Sequence, residues 1–189
     1  AETIRNGWLY TGDLGYLDED GFLFLLGRFK SLLIGDDGEK FSPEGIEETI
    51  VQQSKFIEQC MLYNNQNAYT TALIYPNVQA IKSWMAAHNM QTGSPEANRE
   101  IIQLIEHQID QFMAGGKFEN MFPQRWLPST FALISEGFTE ENGLINTLMK
   151  TVRPRINEFY KEKIRFMYTP QGKNIQNDQN LKALETLLK

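Results

Sequence analysis

Residues 7–50 read GWLYTGDLGYLDEDGFLFLLGRFKSLLIGDDGEKFSPEGIEETI, and the spacing of turn residues in this stretch constrains the fold more than any other feature of the chain. Each apolar run is cut short by a glycine or a charge, which suits short strands joined by tight turns and leaves no room for a long helix. The β-rich runs are 8–11 (WLYT) and 22–26 (FLFLL), separated by DLGYLDEDG, in which Asp20-Gly21 is a hairpin-turn signal. An antiparallel ribbon made of these two runs is therefore expected at the start. A further apolar run at 31–34 leads to a second tight turn, Gly35-Asp36-Asp37-Gly38, with Glu39-Lys40-Phe41 as the returning strand. Ser42-Pro43 then sets a helix start, because serine can cap orphan amides and proline at the first helical position has no amide to lose. Ile46, Ile50 and Val51 share a face of that helix.

Strands are expected at 56–63 and 70–75 around the polar turn NNQNA, a helix over 77–89, and a longer helix opened by Ser94-Pro95. In the longer helix Ile102, Ile105, Ile109 and Phe112 form a continuous apolar stripe, and Gly115-Gly116 ends it. KFENMFPQRWLP is an aromatic-rich connection, STFALIS at 129–135 a further buried strand, and the segment after it a loop. Pro154 restarts a helix to about Met167, and a last helix begins near Asp178. The chain carries no internal repeat and no low-complexity segment.

With 189 residues, 41% hydrophobic and 22% charged, the chain can hold one domain with a proper core, or one domain plus part of another. Lys plus Arg number 18 against 24 Asp plus Glu, and the net charge of -6 repels a nucleic-acid backbone. The single cysteine, Cys60, excludes an internal disulfide and a thiolate-built metal site, and fits a reducing compartment. No apolar run approaches the length of a bilayer span, and the opening residues lack a signal-peptide pattern. The start at Ala1-Glu2-Thr3-Ile4, running straight into strand-like sequence, is expected to be a cut inside a longer protein.

Thr11-Gly12-Asp13 by itself is a strand ending in a polar turn, or a carboxylate placed to accept hydrogen bonds from the vicinal hydroxyls of a sugar. The ordered series is more specific: GWLYTGD, an Asp-Gly hairpin, Gly27-Arg28-Phe29-Lys30, Gly38-Glu39-Lys40, then Pro43 and Ile46-Glu47. Together these resemble the adenylate-forming (ANL) synthetases, the superfamily of acyl-CoA synthetases, peptide-synthetase adenylation domains and luciferases. GRFKSLL followed by GEKFSPEGIE, and FPQRWLPSTFALISEGFTEENGLINTLMK, are most similar to the long-chain fatty acyl-CoA synthetases. The likeness runs to about residue 165.

The resemblance implies an α+β fold: a small C-terminal domain with a short, mainly antiparallel sheet flanked by helices, preceded by a β-hairpin from the end of a large N-terminal domain. Residues 1–29 would then close the large domain and include the hinge, and 30–189 would form the mobile C-terminal domain. Asp13 corresponds to the family aspartate that holds the ATP ribose hydroxyls, and Arg28 to an arginine that also contacts the nucleotide, its planar fork suited to sugar and phosphate oxygens. A surface ion pair is the structural alternative for Arg28. Lys30 falls at the hinge, whose backbone torsions change as the small domain rotates; an exposed strand lysine is its bland alternative. The loop from Gly35 to Lys40 corresponds to one that approaches the reacting centre for thioester formation, where Gly38 would let the backbone near the pantetheine arm and Lys40 would face a phosphate. A plain hairpin turn is the equal alternative.

Lys150, in NGLINTLMKTVRPRI, corresponds to the catalytic lysine of the first half-reaction, delivering an ammonium to charge gathering on phosphoryl oxygens. Many superfamily members have glycine directly before it, where this chain has Met149; the long-chain subgroup also tends to carry a bulky residue there. Arg153 would help orient the loop. The implied reaction is fatty acid plus ATP to acyl-adenylate and pyrophosphate, then attack by CoA to give acyl-CoA and AMP. The implied small-molecule partners are fatty acid, ATP and CoA, with Mg2+ held by residues of the large domain and no metal site in this stretch. The chain alone is expected to be inactive, and its location cytoplasmic, with peripheral membrane contact open because fatty acids reside in bilayers. Two alternatives remain at this point: an adenylating ligase using another acid or a carrier-protein thiol, and a non-catalytic interaction domain on the same scaffold. His88 and His107 are expected to be solvated or structural, Gly115 to Lys117 a helix end, and Trp84, Trp126 and the phenylalanines packing residues.

Overall fold

Asn6 and Gly7 take left-handed backbone angles, φ 52° and 81°, and turn Ile4–Arg5 (β1) back antiparallel onto Trp8–Leu9 (β2). Asp13–Leu17 (β3) then pairs antiparallel with Leu23–Arg28 (β4). The partner of the 22–26 run is thus 13–17, not the expected WLYT at 8–11. The turn decides this: Asp18 Oδ1 accepts from the amides of Asp20 and Phe22 at 3.0 and 2.8 Å, and the loop so closed joins only the strands that adjoin it. The structure, a computed structural model, describes residues 3–189; Ala1-Glu2, where a cut was expected, lie outside the described residues.

After a short 3-10 turn at Phe29–Ser31, Leu33–Gly35 (β5) pairs antiparallel with Lys40–Phe41 (β6), as the Gly35 to Gly38 turn requires. Glu44–Gln53 (α1) follows with Ile46 and Ile50 buried. Ser42 does not cap its amides; Pro43 occupies the cap position, and the Ser42 hydroxyl donates to the Glu44 carboxylate instead. The central sheet is built from Ile57–Tyr63 (β7), Thr70–Pro76 (β9) and Pro128–Leu133 (β10), in the order β10-β9-β7. Strand β7 runs antiparallel to β9, and β10 runs parallel to it. Between β7 and β9, Asn65–Asn67 (β8) leaves the NNQNA turn to pair parallel with β5.

This sheet is buried on both faces. On one lie Val78–Ala87 (α2) and Pro95–Asp110 (α3), whose N-caps Asn77 and Ser94 accept from Ala80 and Ala97 amides. The stripe Ile102, Ile105, Ile109 and Phe112 is buried there with Leu62, Ile74 and Leu133. On the other lie Met61, Leu73 and Ala132 with Ile156 and Ile164. Those last two residues come from Arg153–Phe159 (α4) and Lys161–Met167 (α5), which are two helices and not the single one expected after Pro154. Tyr160 breaks the run: its backbone leaves helical angles at φ -101° and ψ 18°, and its hydroxyl donates to the carbonyl of Glu136. Phe22, Phe24, Phe29 and Phe159 are exposed, contrary to the packing role expected of the phenylalanines.

The tail beyond 165 closes the outer edge of β10. Pro170–Lys173 (α6) and Asp178–Leu187 (α7) bring fully buried Asn180 to that edge. Asn180 Oδ1 accepts from the Leu133 amide at 2.8 Å, and Nδ2 donates to the carbonyls of Phe131 and Ile175 at 3.2 and 2.9 Å. Replacing it by leucine leaves those backbone groups buried without partners, at about 1–3 kcal/mol for each unsatisfied group. Asn180→Leu is therefore expected to lower stability by about 3 kcal/mol or more in urea titration. A loss under about 1 kcal/mol would mean that the edge is not held by this side chain.

Candidate functional site

The end of β4, the start of α1 and the segment before α4 enclose a cleft of about 830 Å3 whose lining includes Arg28, Glu44, Glu48, Met149 and Lys150. Gly27 permits the approach of β4 to α1: its φ is +127°, and a Cβ there would stand 2.5 Å from the Ser42 Oγ. Arg28, the next residue, pairs with Asp13 across the ribbon, Nε to Oδ1 3.2 Å, in register as strand neighbours. Both side chains remain accessible, at 66% and 37% exposure. The surface ion pair weighed for Arg28 is therefore present, and it joins the two residues singled out for a nucleotide into one accessible charge pair.

Lys150 sits on a closed tip. Ile145 and Thr151 form an antiparallel bridge, the Asn146 amide donates to the Lys150 carbonyl at 2.9 Å, and Asn146 Oδ1 accepts from the amides of Leu148 and Lys150 at 2.9 and 3.0 Å. Closing so tight a turn puts Met149 at φ +59°. That left-handed angle costs a non-glycine residue about 1 kcal/mol, a strain that glycine at this position would not carry. Leu148 and Met149 are 74% and 73% exposed, and the lysine ammonium makes no ion pair among the described residues.

Three residues further on, Arg153 is buried. Its Nη1 donates to the Leu62 carbonyl at 3.0 Å and its Nη2 to the carboxylate of Glu47, whose other oxygen accepts from the Leu62 amide. Burial pushes the Glu47 carboxyl above its ordinary range, opposed by the Arg153 guanidinium and the Leu62 amide. Arg153 thus ties the start of α4 to β7 and α1, and the Lys150 tip hangs from that anchor.

The remaining expected site residues lie elsewhere. Lys30, in the 3-10 turn, lines a separate cleft of about 160 Å3 with Asn64, Arg153 and Pro154. Gly38, at φ +82° with open space around it, tops the β5–β6 hairpin. Lys40 stands with Nζ 5.9 Å from the centre of the Phe29 ring. Neither Gly38 nor Lys40 lines the cleft that holds Arg28 and Lys150. His88 bonds the Trp84 carbonyl and His107 contacts Gln111, structural roles in both cases.

Sequence reading missed two constellations. One is the buried Glu47–Arg153 pair. The other is at Glu39, which accepts from Arg125 Nε and Nη2 at 2.5 and 2.7 Å and from the Trp126 indole nitrogen at 2.8 Å. These donors hold its carboxyl well below the usual range, at about 2. The segments GEK and PQRW were both in view, but nothing in their spacing says that they meet. Among the described residues, no cluster of three or more His, Cys, Asp or Glu could hold a metal, and no helix is long and apolar enough to cross a membrane.

The molecule is a small α+β body with an appended ribbon, in which a lysine-tipped loop and an arginine line one cleft. A family model described as AMP-binding enzyme C-terminal domain matches residues 30–112. Fatty acyl-CoA synthetase B of Dictyostelium discoideum is 26% identical over 175 residues, covering 89% of this chain and 25% of that protein. The peroxisomal long chain acyl-CoA synthetase 6 of Arabidopsis thaliana is 29% identical over 176 residues, covering 89% of this chain and 24% of that protein. The chain thus spans about a quarter of the length of these curated relatives. In fold it is similar to the adenylation domain of a carboxylate reductase from Mycobacterium chelonae, with TM-score 0.70 and 24% identity over 87% of this chain and 24% of that one. Over residues 30–112 the chain thus matches the C-terminal domain of AMP-binding enzymes, and it is similar in sequence to acyl-CoA synthetases over most of its length.

Removing one member of the buried pair leaves the other charged and uncompensated. Arg153→Leu is expected to destabilise the chain by about 3–5 kcal/mol, and the Glu47→Met/Arg153→Leu double variant to recover only part of that loss, because the Leu62 amide and carbonyl then stay unpaired at about 1–3 kcal/mol each. Denaturant titration of the three proteins checks this, and a double variant no better than the single would contradict it.

Proposed function

We propose that this chain is the C-terminal portion of a long-chain fatty acid–CoA ligase. Residues 1–29 close a large N-terminal domain, and 30–189 form a mobile domain that rotates about Lys30. In the first half-reaction a fatty-acid carboxylate oxygen attacks the α-phosphorus of ATP and pyrophosphate leaves. In the second, CoA takes the acyl group and AMP leaves.

The single observation that carries this reading is the presentation of Lys150: a solvent-accessible, unpaired ammonium on a tip closed by Asn146, lining the same cleft as Arg28. An ammonium on a rigid tip can meet phosphoryl oxygens as negative charge develops on them, and needs little reorganisation to do so. Asp13 would accept from the ribose hydroxyls and Arg28 would meet the nucleotide from the accessible side of their mutual pair. When bound, Mg2+ would neutralise phosphate charge, held by large-domain residues. Further support comes from the relatives, which are named as fatty acyl-CoA and long chain acyl-CoA synthetases, and from the family match, which begins at residue 30. The domain is expected to act in the cytoplasm, with peripheral membrane contact left open.

In the full-length protein, Lys150→Ala is expected to slow pyrophosphate release with palmitate by about 10²–10³-fold, the scale set by loss of one transition-state donor. Transfer of preformed palmitoyl-adenylate to CoA should change little. Unchanged pyrophosphate release would remove the catalytic role of Lys150. No transfer to CoA by the wild-type protein, with transfer to a carrier-protein thiol, would move the assignment to another adenylating ligase. The 189-residue chain alone should make no acyl-CoA, and detectable synthesis by it would refute the division into domains.

A further inference from the structure

The hairpin that carries Gly38 and Lys40 pairs with β8 along its first strand and is gripped on its returning side at Glu39. Glu39 lies at its base, between the exposed Gly38 tip and β6, and accepts three hydrogen bonds from a single turn 86 and 87 positions away. Two come from the fork of Arg125, a bidentate geometry that fixes the carboxylate plane. The third comes from the Trp126 indole, whose ring stacks on Phe41 at 5.0 Å between centroids and 3° between planes. The neighbouring residues on either side of Lys40 are therefore both locked onto the segment Gln124–Trp126, which leads directly into β10.

The hairpin's own bonds serve the same end. The Gly35 amide donates to the Glu39 carbonyl at 2.9 Å, and Asp37 Oδ1 accepts from the Glu39 amide at 2.9 Å, so the loop closes on the clamped residue. Gly38 is left at the apex with nothing within 4 Å of the position a Cβ would take. A stiff base under an open apex is the arrangement required of a loop that must reach a fixed point in another body.

We infer that Glu39 is a positioning residue for thioester formation: gripped by Arg125 and Trp126, it sets where the Gly38 apex and Lys40 stand when acyl-adenylate meets the thiol. This rests on the proposed ligase reading. In that step the CoA sulfur bonds to the acyl carbon, the bond from that carbon to the phosphate oxygen breaks, AMP leaves, and the thiol proton passes to solvent. Glu39 takes no part in the bond changes. Its face of the domain is not the one that lines the Lys150 cleft, so its loss should bear on the second half-reaction and spare the first.

The test is Glu39→Gln in the full-length enzyme, which keeps shape and one acceptor but loses the charge that holds the arginine fork. Adenylation, read as pyrophosphate release with palmitate, should stay within about twofold of wild type. Transfer of preformed palmitoyl-adenylate to CoA should fall about 10- to 100-fold in kcat, the scale of a misplacement of about 1 Å. Arg125→Lys, which keeps charge without the fork, should fall between the two, and Trp126→Phe, which keeps the ring stack, should fall least. Equal loss in both half-reactions, or no loss in either, would overturn the inference. Should Glu39→Gln fail to fold, the same split is required of Arg125→Lys, and its absence there would count equally against it. A wild-type enzyme unable to form acyl-adenylate would instead sink the ligase reading, so the two failures are distinguishable.

Discussion

A three-stranded sheet has two open edges, and in this domain each is closed by side chains instead of by another strand. At β7 the exposed pair of backbone groups on Leu62 is met by an ion pair: Glu47 accepts from its amide and Arg153 donates to its carbonyl. At β10 the corresponding groups on Leu133 and Phe131 are met by Asn180. Unpaired backbone groups in a buried place cost as much as lost hydrogen bonds, so these contacts are what allow so small a sheet to be covered on both faces. The ion pair at β7 is the more consequential of the two, because it links three elements that share no hydrogen-bonded ladder: α1, β7 and α4.

That link also governs the site. Lys150 precedes the anchored arginine by three residues, and the short connection between them starts from a bridge, Ile145 to Thr151, and ends in the first turn of α4. A buried pair of charges gains little net stability over an apolar replacement, since desolvation offsets attraction. Its value here is geometric. It holds a surface tip, made of exposed and backbone-strained residues, in place against α1 and β7. The Glu39 grip does the equivalent for the hairpin on the other side. The domain therefore presents two braced projections from one core.

Much of the frame was legible in the sequence because it is written in apolar periodicity and turn residues. The stripe from Ile102 to Phe112, the caps Asn77 and Ser94 and the strands near 57–63 and 70–76 all follow from local rules. Lys150, Arg28 and Asp13 could be singled out through ordered motifs, yet only the fold shows that Arg28 pairs with Asp13 and shares a cleft with Lys150. What escaped was polar and long-range. Glu47 sits within a helix pattern and Arg153 beside a proline, and neither position announces a partner 106 residues away. Asn180 lies in the helix expected from Asp178, and nothing in the local sequence marks it as the partner of β10. The ribbon was mispaired for a related reason: β-propensity favoured WLYT over the less apolar DLGYL, whereas closure of the Asp18 turn selects its immediate neighbours.

The distribution of burial bears on the proposed division at residue 30. Among the described residues, every member of both apolar clusters lies at Leu33 or beyond. Before that point Trp8, Leu9, Tyr10, Leu17, Phe22 and Leu25 are all exposed, although their side chains are as apolar as those in the core. Exposed apolar side chains gathered on one short ribbon are the kind of surface that marks contact with another body. The ribbon meets the rest of the chain where Gly27 admits Ser42 and where Lys40 stands by Phe29, both beside the 3-10 turn at Phe29–Ser31. That turn has none of its residues buried, so it adds no packing of its own between the exposed ribbon and the core that begins at Leu33, which is the condition the proposed hinge requires.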